Sequence, residues 1–281
     1  MTDKIAPDTP RYLVVNADDF GASHSVNQAA LRAFHEGVLR SVSIMAAGAA
    51  FEEAALAARG LPGMSVGIHV TLVDGRSVLP PSEIPGLTDE RGFFDESPAR
   101  AGIRYWIHRR RLRGQLEAEI EAQFDRLEDA CLRPVHADSH HHLHVHPVIF
   151  GVLCRVAQRR GVKWIRIPPG PFWTALDSLP AITEWAVFRA LKVRNAGTAG
   201  ARGLLSARTY GISRPGRVTE DYLRGLVSRI EGPVSEVFAH PDMDGAAGRA
   251  ELEALTSPRV LEAVNSRGLT PAGFKDIVQK V

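Results

Sequence analysis

Short apolar runs of the buried-strand kind alternate with helical patterns along the whole chain, and this alternation restricts the fold more than any other feature. Tyr12–Val15, Val42–Met45, Val66–Val70, Pro134–Ser139, Lys163–Ile167, Ala207–Tyr210, Val234–Ala239 and Leu269–Phe274 read as strands. Ser23–Gly37, Phe51–Arg59, Leu112–Cys131, Val148–Arg160, Thr183–Arg194, Thr219–Ile230 and Ala250–Arg267 read as the helices between them. The pattern is clearest where Leu112, Leu116, Ile120, Phe124, Leu127 and Cys131 recur at three- and four-residue steps. Alternation of this kind implies a parallel sheet. Seven or eight such units in 281 residues favour an α/β fold of the (β/α) TIM-like barrel type over an open doubly wound sheet. No repeat or linker divides the chain, so residues 1–281 are expected to form a single domain, with 1–10 as a flexible N-terminus. Residues 73–104, rich in Pro and Gly and poor in periodicity, read as a long loop serving as a lid, with Phe93 and Phe94 to bury.

Several function classes fall away. Basic and acidic residues number 34 and 32, too balanced for a protein that coats nucleic acid, so no nucleic-acid partner is expected. A G-x-G-x-x-G turn after the first strand, a P-loop and a G-x-S-x-G elbow are all missing, which leaves dinucleotide enzymes, NTPases and serine hydrolases without support. Two cysteines cannot make a disulfide framework and fit a reducing compartment. With neither a leader pattern nor an apolar run long enough to span a bilayer, the expected location is cytoplasmic. The sequence leaves the oligomeric state open.

The histidines are unevenly spread. Six of the eleven lie between His136 and His146, where even scatter would put fewer than one. In a parallel barrel the reactive groups stand at the C-terminal strand ends. Asp18 and Asp19 follow the first strand in NADDFG, His69 closes GIHV, Asp138 and His140 end the fourth strand, and His240 closes SEVFAHP. An Asp pair can simply cap a helix or shape a turn, and His69 can be a satisfied core histidine. Four strands delivering ionisable groups at one end is the stronger signal. A carboxylate doublet beside a buried strand is costly unless a cation neutralises it; a metal would do so, using one carboxylate and leaving its neighbour free as a base. His140 and His146 would lie about 20 Å apart on an extended strand, too far to share one ion. His140, nearest the strand end, is therefore the ligand candidate.

Asp19, His69 and His140 then form a two-histidine, one-carboxylate set that suits one divalent ion, Zn²⁺ ahead of Mg²⁺. The same set serves non-haem Fe(II) oxygenases, and a histidine block could also belong to a metal-storage or sensing protein. Asp138 is better placed to orient a histidine than to bind metal, and His142 and Arg166 are candidates for supporting the site or touching substrate. His240 could be a general acid. Two further stretches are notable. Residues 104–113 hold five arginines and no acid beside an aromatic pair, either a solvated helix start or a patch for anionic lipid or phosphate. Pro171–Arg194 gathers Phe172, Trp173, Trp185 and Phe188 with few charges, which reads first as core packing.

LVVNADDFG, VGIHVTL, DSHHHLHVHP and FAHP, in this order and spacing, resemble the YdjC family of carbohydrate deacetylases, over nearly the whole chain. The resemblance implies a distorted (β/α) barrel and a divalent metal held by an Asp and two His. Matched residue by residue, those are Asp19, His69 and His140, with Asp18 as base and His240 as acid. LVDGRSVLPPSEIPGLTDERGFF, QLEAEIEAQFDRL and LTSPRVLEAVNSRGL are similar to the hopanoid-biosynthesis subgroup, which implies removal of acetate from N-acetylglucosamine linked to bacteriohopanetetrol. The central ADSHHHLHVHP has the form seen in chitooligosaccharide deacetylases instead. The expected partner is a small acetamido sugar, with peripheral membrane contact through 104–113 if it is lipid-linked.

Overall fold

The computed structural model describes residues 10–176, 178–212 and 216–278; the expected flexible N-terminus, but for residue 10, lies outside them. Eight strands form one parallel sheet: β1 (Arg11–Phe20), β2 (Ser41–Ile44), β3 (Ser65–Val70), β4 (His136–Ser139), β5 (Trp164–Ile165), β6 (Arg208–Tyr210), β7 (Val234–Ala239) and β8 (Leu269–Pro271). Their spatial order is β5-β4-β3-β2-β1-β7-β6, with β8 paired to the first residues of β1. The two ends of this path meet across a seam. Trp164 of β5 makes a single parallel bridge with Leu205, just ahead of β6, where Ile165 N–H donates to the Leu205 carbonyl at 2.8 Å. The sheet is thus a curled, distorted TIM-like barrel in a single-domain α/β fold. Its departure from the regular form is that β7 pairs directly with β1 and leaves β8 beside the start of that strand.

Helices lie on the outside: α1 (His24–Glu36), α2 (Phe51–Gly60), α3 (Pro98–Ile107), α4 (Arg109–Asp129), α5 (Pro147–Arg159), α6 (Leu179–Gly200), α7 (Glu220–Val227), α8 (Ala246–Thr256), α9 (Pro258–Ser266) and the short α10 (Phe274–Ile277). Their ends follow local chemistry. Ser23 accepts from Val26 N–H to cap α1, and Gly37 ends it. The expected single helix over 250–267 is two, because Pro258 cannot continue α8; it starts α9, capped by Ser257. None of these helices is long and apolar enough to cross a membrane.

The expected 73–104 loop is irregular up to Ser97, and its last residues are helical. Ser97 and Pro98 start α3 inside it. The remainder is fastened to α4: Glu119 accepts from Val78 N–H and Leu79 N–H at 2.9 and 3.0 Å, and Gln115 from Gly86 N–H at 2.8 Å. Ile84, Leu87 and Phe94 are buried, while Phe93 stays at the surface between Arg76 and Arg91. The segment is a packed wall of the fold.

Candidate metal and catalytic site

β1 runs further than its apolar stretch suggested and carries Asp18 and Asp19 inside it. Neighbouring residues of a regular strand point to opposite faces, so a doublet would normally send one acid away. Here the β1–β2 register slips between Ala17 and Phe20, and Asp19 takes φ +60°, a left-handed conformation that Asp tolerates better than most residues. The bulge turns both carboxylates to the same end of the barrel.

Asp19 Oδ1 lies 3.1 Å from His69 Nε2 and 2.8 Å from His140 Nδ1. His69 is buried, and its other nitrogen, Nδ1–H, donates to Asp138 Oδ1 at 2.7 Å. That bond fixes the ring and leaves Nε2 facing Asp19, the arrangement that orients metal-binding histidines. Burial works against a charge on His69, but Asp138 and Asp19 outweigh it and carry its pKa up to about 10. The carboxylates thus call for a cation at this point. Burial also opposes the charge on Asp19, yet the two imidazoles hold its carboxyl well below the usual range. Asp19, His69 and His140 each offer one donor atom, all within 4.8 Å of one another. Two imidazole nitrogens and one carboxylate oxygen fit a divalent first-row ion.

Asp18, His69 and Asp138 are equally close, but their carboxylates already have a cation. Arg166 donates to Asp18 through Nη1 and Nη2 at 2.6 and 2.8 Å, to Asp138 through Nη2 at 2.8 Å, and to Glu236 through Nε at 2.8 Å. Its guanidinium lies 4.5 Å from the centre of the Phe238 ring. Arg166 is buried with all three acids, so of its two expected parts, supporting the site or touching substrate, the geometry favours the first. Burial pushes Glu236 up to about 7 despite Arg166. For Asp138 burial is overcome by Arg166 and His69, which hold its carboxyl far below the ordinary value. Ser43 and Asn16 complete the network: Ser43 Oγ–H donates to Asp138 at 2.7 Å, and Asn16 Nδ2 donates to Asp18 at 2.8 Å.

The histidine block divides as the strand ends. His136 is inside the barrel, 3.0 Å from Ser43, and burial brings its pKa down to about 4. His140 opens a tight turn over 140–145 in which His141 and His142 both take φ +52°. His144 turns inward between Ser139 Oγ and the Arg166 carbonyl, both at 2.8 Å. His142 packs on Phe238, ring centres 4.7 Å apart, with Nδ1 buried and unpartnered. His240 touches the same Phe238 ring at 5.9 Å, and its Nδ1 is likewise buried without a partner. Among the described residues it joins the site through Phe238 rather than by direct contact with Asp18 or Asp19.

Besides Asn16, three residues of the site escaped the sequence reading. Asp74, at the start of the 73–97 segment with φ +47°, lies 3.2 Å from His141 and 4.0 Å from His140. It follows a strand end, as the other acids do, and was legible by that rule. Glu236 interrupts the apolar run of β7, a visible signal. Ser43 gave none.

A family model described as YdjC-like protein matches residues 12–266. A carbohydrate deacetylase of Geobacillus stearothermophilus is 34% identical over 280 residues, covering 95% of this chain and 98% of that one. A chitooligosaccharide deacetylase of Salmonella paratyphi B is 34% identical over 285 residues, covering 95% and 99%. The crystal structure of an Enterococcus faecalis V583 protein, described as a candidate for cellobiose-phosphate cleavage, superposes with a TM-score of 0.72 at 23% identity, over 95% and 99% of the two chains; this likeness concerns the fold. Matched over most of its length and at a third identity to whole relatives, the chain belongs to the YdjC-like family.

Proposed function

We propose that the chain is a metal-dependent hydrolase that removes the acetyl group from an N-acetylated amino sugar. The observation that carries this is the convergence of Asp19, His69 and His140 donor atoms within 4.8 Å, beside a second carboxylate, Asp18, held by Arg166. The names of the two bacterial relatives support the reaction class. Bound by those three residues, a divalent ion, zinc ahead of magnesium on ligand chemistry, supplies Lewis acidity toward the acetamide carbonyl and lowers the pKa of water. Asp18 takes the proton of the attacking water, and its bidentate bond to Arg166 fixes the carboxylate's direction. His240 returns a proton to the departing amine nitrogen, a poor leaving group unless protonated. Asp138 holds His69 in the tautomer that presents Nε2. His142 and Phe238 shield the site from bulk water.

The finer reading is that the sugar is N-acetylglucosamine linked to a hopanoid lipid, bacteriohopanetetrol, met at the inner face of a membrane through residues 104–113. It rests on the three subgroup-like stretches. The second reading, a soluble chitooligosaccharide, is favoured by the central histidine block and by the Salmonella relative's name. One assay separates them: acetate release from chitobiose and from N-acetylglucosaminyl-bacteriohopanetetrol, each with zinc and with magnesium after chelator treatment. Asp19→Asn and His140→Ala are expected to abolish both acetate release and one equivalent of bound metal. Full metal content in both variants would remove the ligand assignment, and no acetate from either substrate would remove the function.

A further inference from the structure

Several of the exposed large apolar side chains lie on α3 and α6, on the two sides of one groove, while Leu56 of α2, Phe93 and Met243 belong to other parts of the molecule. Ile103, Trp106 and Ile107 of α3 are 61, 48 and 62% exposed, and Val187 and Val193 of α6 are 58 and 66% exposed. Phe172 and Leu176, in the turn ahead of α6, are also open. An apolar patch of this kind on one side marks an interaction surface. Between α3 and α6 lies a groove of about 460 Å³, lined by Ile103, Trp106, Leu143, Val187, Phe188 and Leu191 and reaching His141 and His142. Its inner end therefore borders the turn that carries His140.

Trp106 also borders a second hollow, of about 390 Å³, whose rim carries Arg109, Arg110, Arg113, Arg155 and Arg194. Of these only Arg155 has a carboxylate among the described residues, Glu117 at 3.0 Å. Apolar side chains and guanidiniums without a carboxylate thus share one edge, where Arg109 lies 5.0 Å from the centre of the Trp106 ring and donates to the Trp106 carbonyl at 2.9 Å. The sequence presented the 104–113 arginines and the 171–194 aromatics as separate features; the fold sets them side by side.

The charge selects the occupant. A second copy of this chain, packed two-fold on the same face, would bring this arginine cluster against its own image. An anionic lipid surface answers both halves at once, phosphates meeting the arginines while the aromatic and aliphatic side chains enter the acyl boundary. We propose that the face formed by the end of α3, the start of α4 and α6 docks on an anionic lipid bilayer. Ile103, Trp106, Ile107 and Val187 enter the interface, and Arg109, Arg110, Arg113 and Arg194 contact lipid phosphates. The groove then opens at the membrane and leads an apolar aglycone toward the histidine turn. This last step rests on the lipid-linked reading of the substrate, whereas docking itself is measured without turnover.

The test is co-sedimentation with vesicles of phosphatidylcholine alone or of equal parts phosphatidylcholine and phosphatidylglycerol, following Trp fluorescence. The wild-type chain is expected to bind the mixed vesicles, with a blue shift, and to release as salt rises. The triple variant Arg109→Glu, Arg110→Glu, Arg113→Glu should bind at least tenfold more weakly, and Trp106→Ala should lose the blue shift. Arg267→Glu, an exposed reversal outside this face, should bind as the wild type does. The triple variant should also release acetate from chitobiose at the wild-type rate. Equal binding by wild type and triple variant, or no preference for the anionic vesicles, overturns the proposal. A dimer dispersed by Trp106→Ala with no vesicle binding overturns it in favour of a self-interface. Loss of acetate release in every protein alongside retained vesicle binding defeats the deacetylase reading and leaves docking standing.

Discussion

At the scale of single residues, the site depends on one backbone departure. Asp19 at φ +60° and the register slip in β1 place two consecutive acids on one side, giving them unequal surroundings. Asp19 faces two imidazoles; Asp18 faces a guanidinium and a carboxamide. That difference underlies the roles proposed for them, and it gives a prediction. Asp18→Asn should keep metal stoichiometry while kcat for acetate release falls by roughly 10²–10⁴, the range typical for loss of a general base. Unchanged kcat would move the proton-acceptor role elsewhere. The residues at strand ends were legible because an ionisable group closing an apolar run is conspicuous: Asp19, His69 and His140 all announce themselves that way. The bulge was not legible, since nothing in NADDFG says that the two side chains share a face. For Arg166 the sequence left two parts open, supporting the site or touching substrate, for a related reason. Its three acid partners come from residues 18, 138 and 236, and only the closed sheet brings them together.

At the scale of elements, strand and helix periodicity survived folding well, while prolines set two helix starts that the periodicity did not show. Pro98 and Pro258 both begin helices that periodicity alone hid or merged. The 73–97 segment was opaque for a different reason. It has no repeat because its backbone is satisfied by turns, by two isolated bridges and by Glu119 and Gln115 of α4, instead of by a regular ladder. Glu119 is buried, and its pKa is raised by that burial against the backbone donors that lower it. Glu119→Ala would leave two partly buried backbone N–H groups without their acceptor, at a cost of about 1 kcal/mol for each, the low end of the range for an unsatisfied donor. Thermal unfolding should show that loss, and limited proteolysis should then cut first between residues 73 and 97. A variant as stable and as resistant as the wild type would mean that Ile84, Leu87 and Phe94 hold the wall without it.

At the scale of the whole molecule, the buried histidines tie stability to acidity. Burial holds His144 at a pKa of about 4, against an ordinary 6.5. Below about 6.5 the unfolded chain takes up a proton that the folded chain refuses. The contribution is therefore complete above that value and falls as pH drops from 6.5 to 4, by about 3 kcal/mol in total. His144→Gln should flatten the decline of the thermal midpoint over that interval. An identical slope in the variant would assign the acid sensitivity to other groups. The barrel also has a direction in which it is weakest. β1, β2, β3 and β4 are knit by several rungs each, whereas β5 meets the segment before β6 through one bridge. The chain leaves the barrel at this place to build α6 and returns to complete the wall. Deuterium should therefore enter first at the amides of Ile165 and Leu205, ahead of those in β1 and β3. New termini cut into the 201–206 stretch should be tolerated better than new termini anywhere between β1 and β4. A seam of this kind lets one flank of a barrel change its sequence and its attachments while the flank that carries Asp19, His69 and His140 keeps its register.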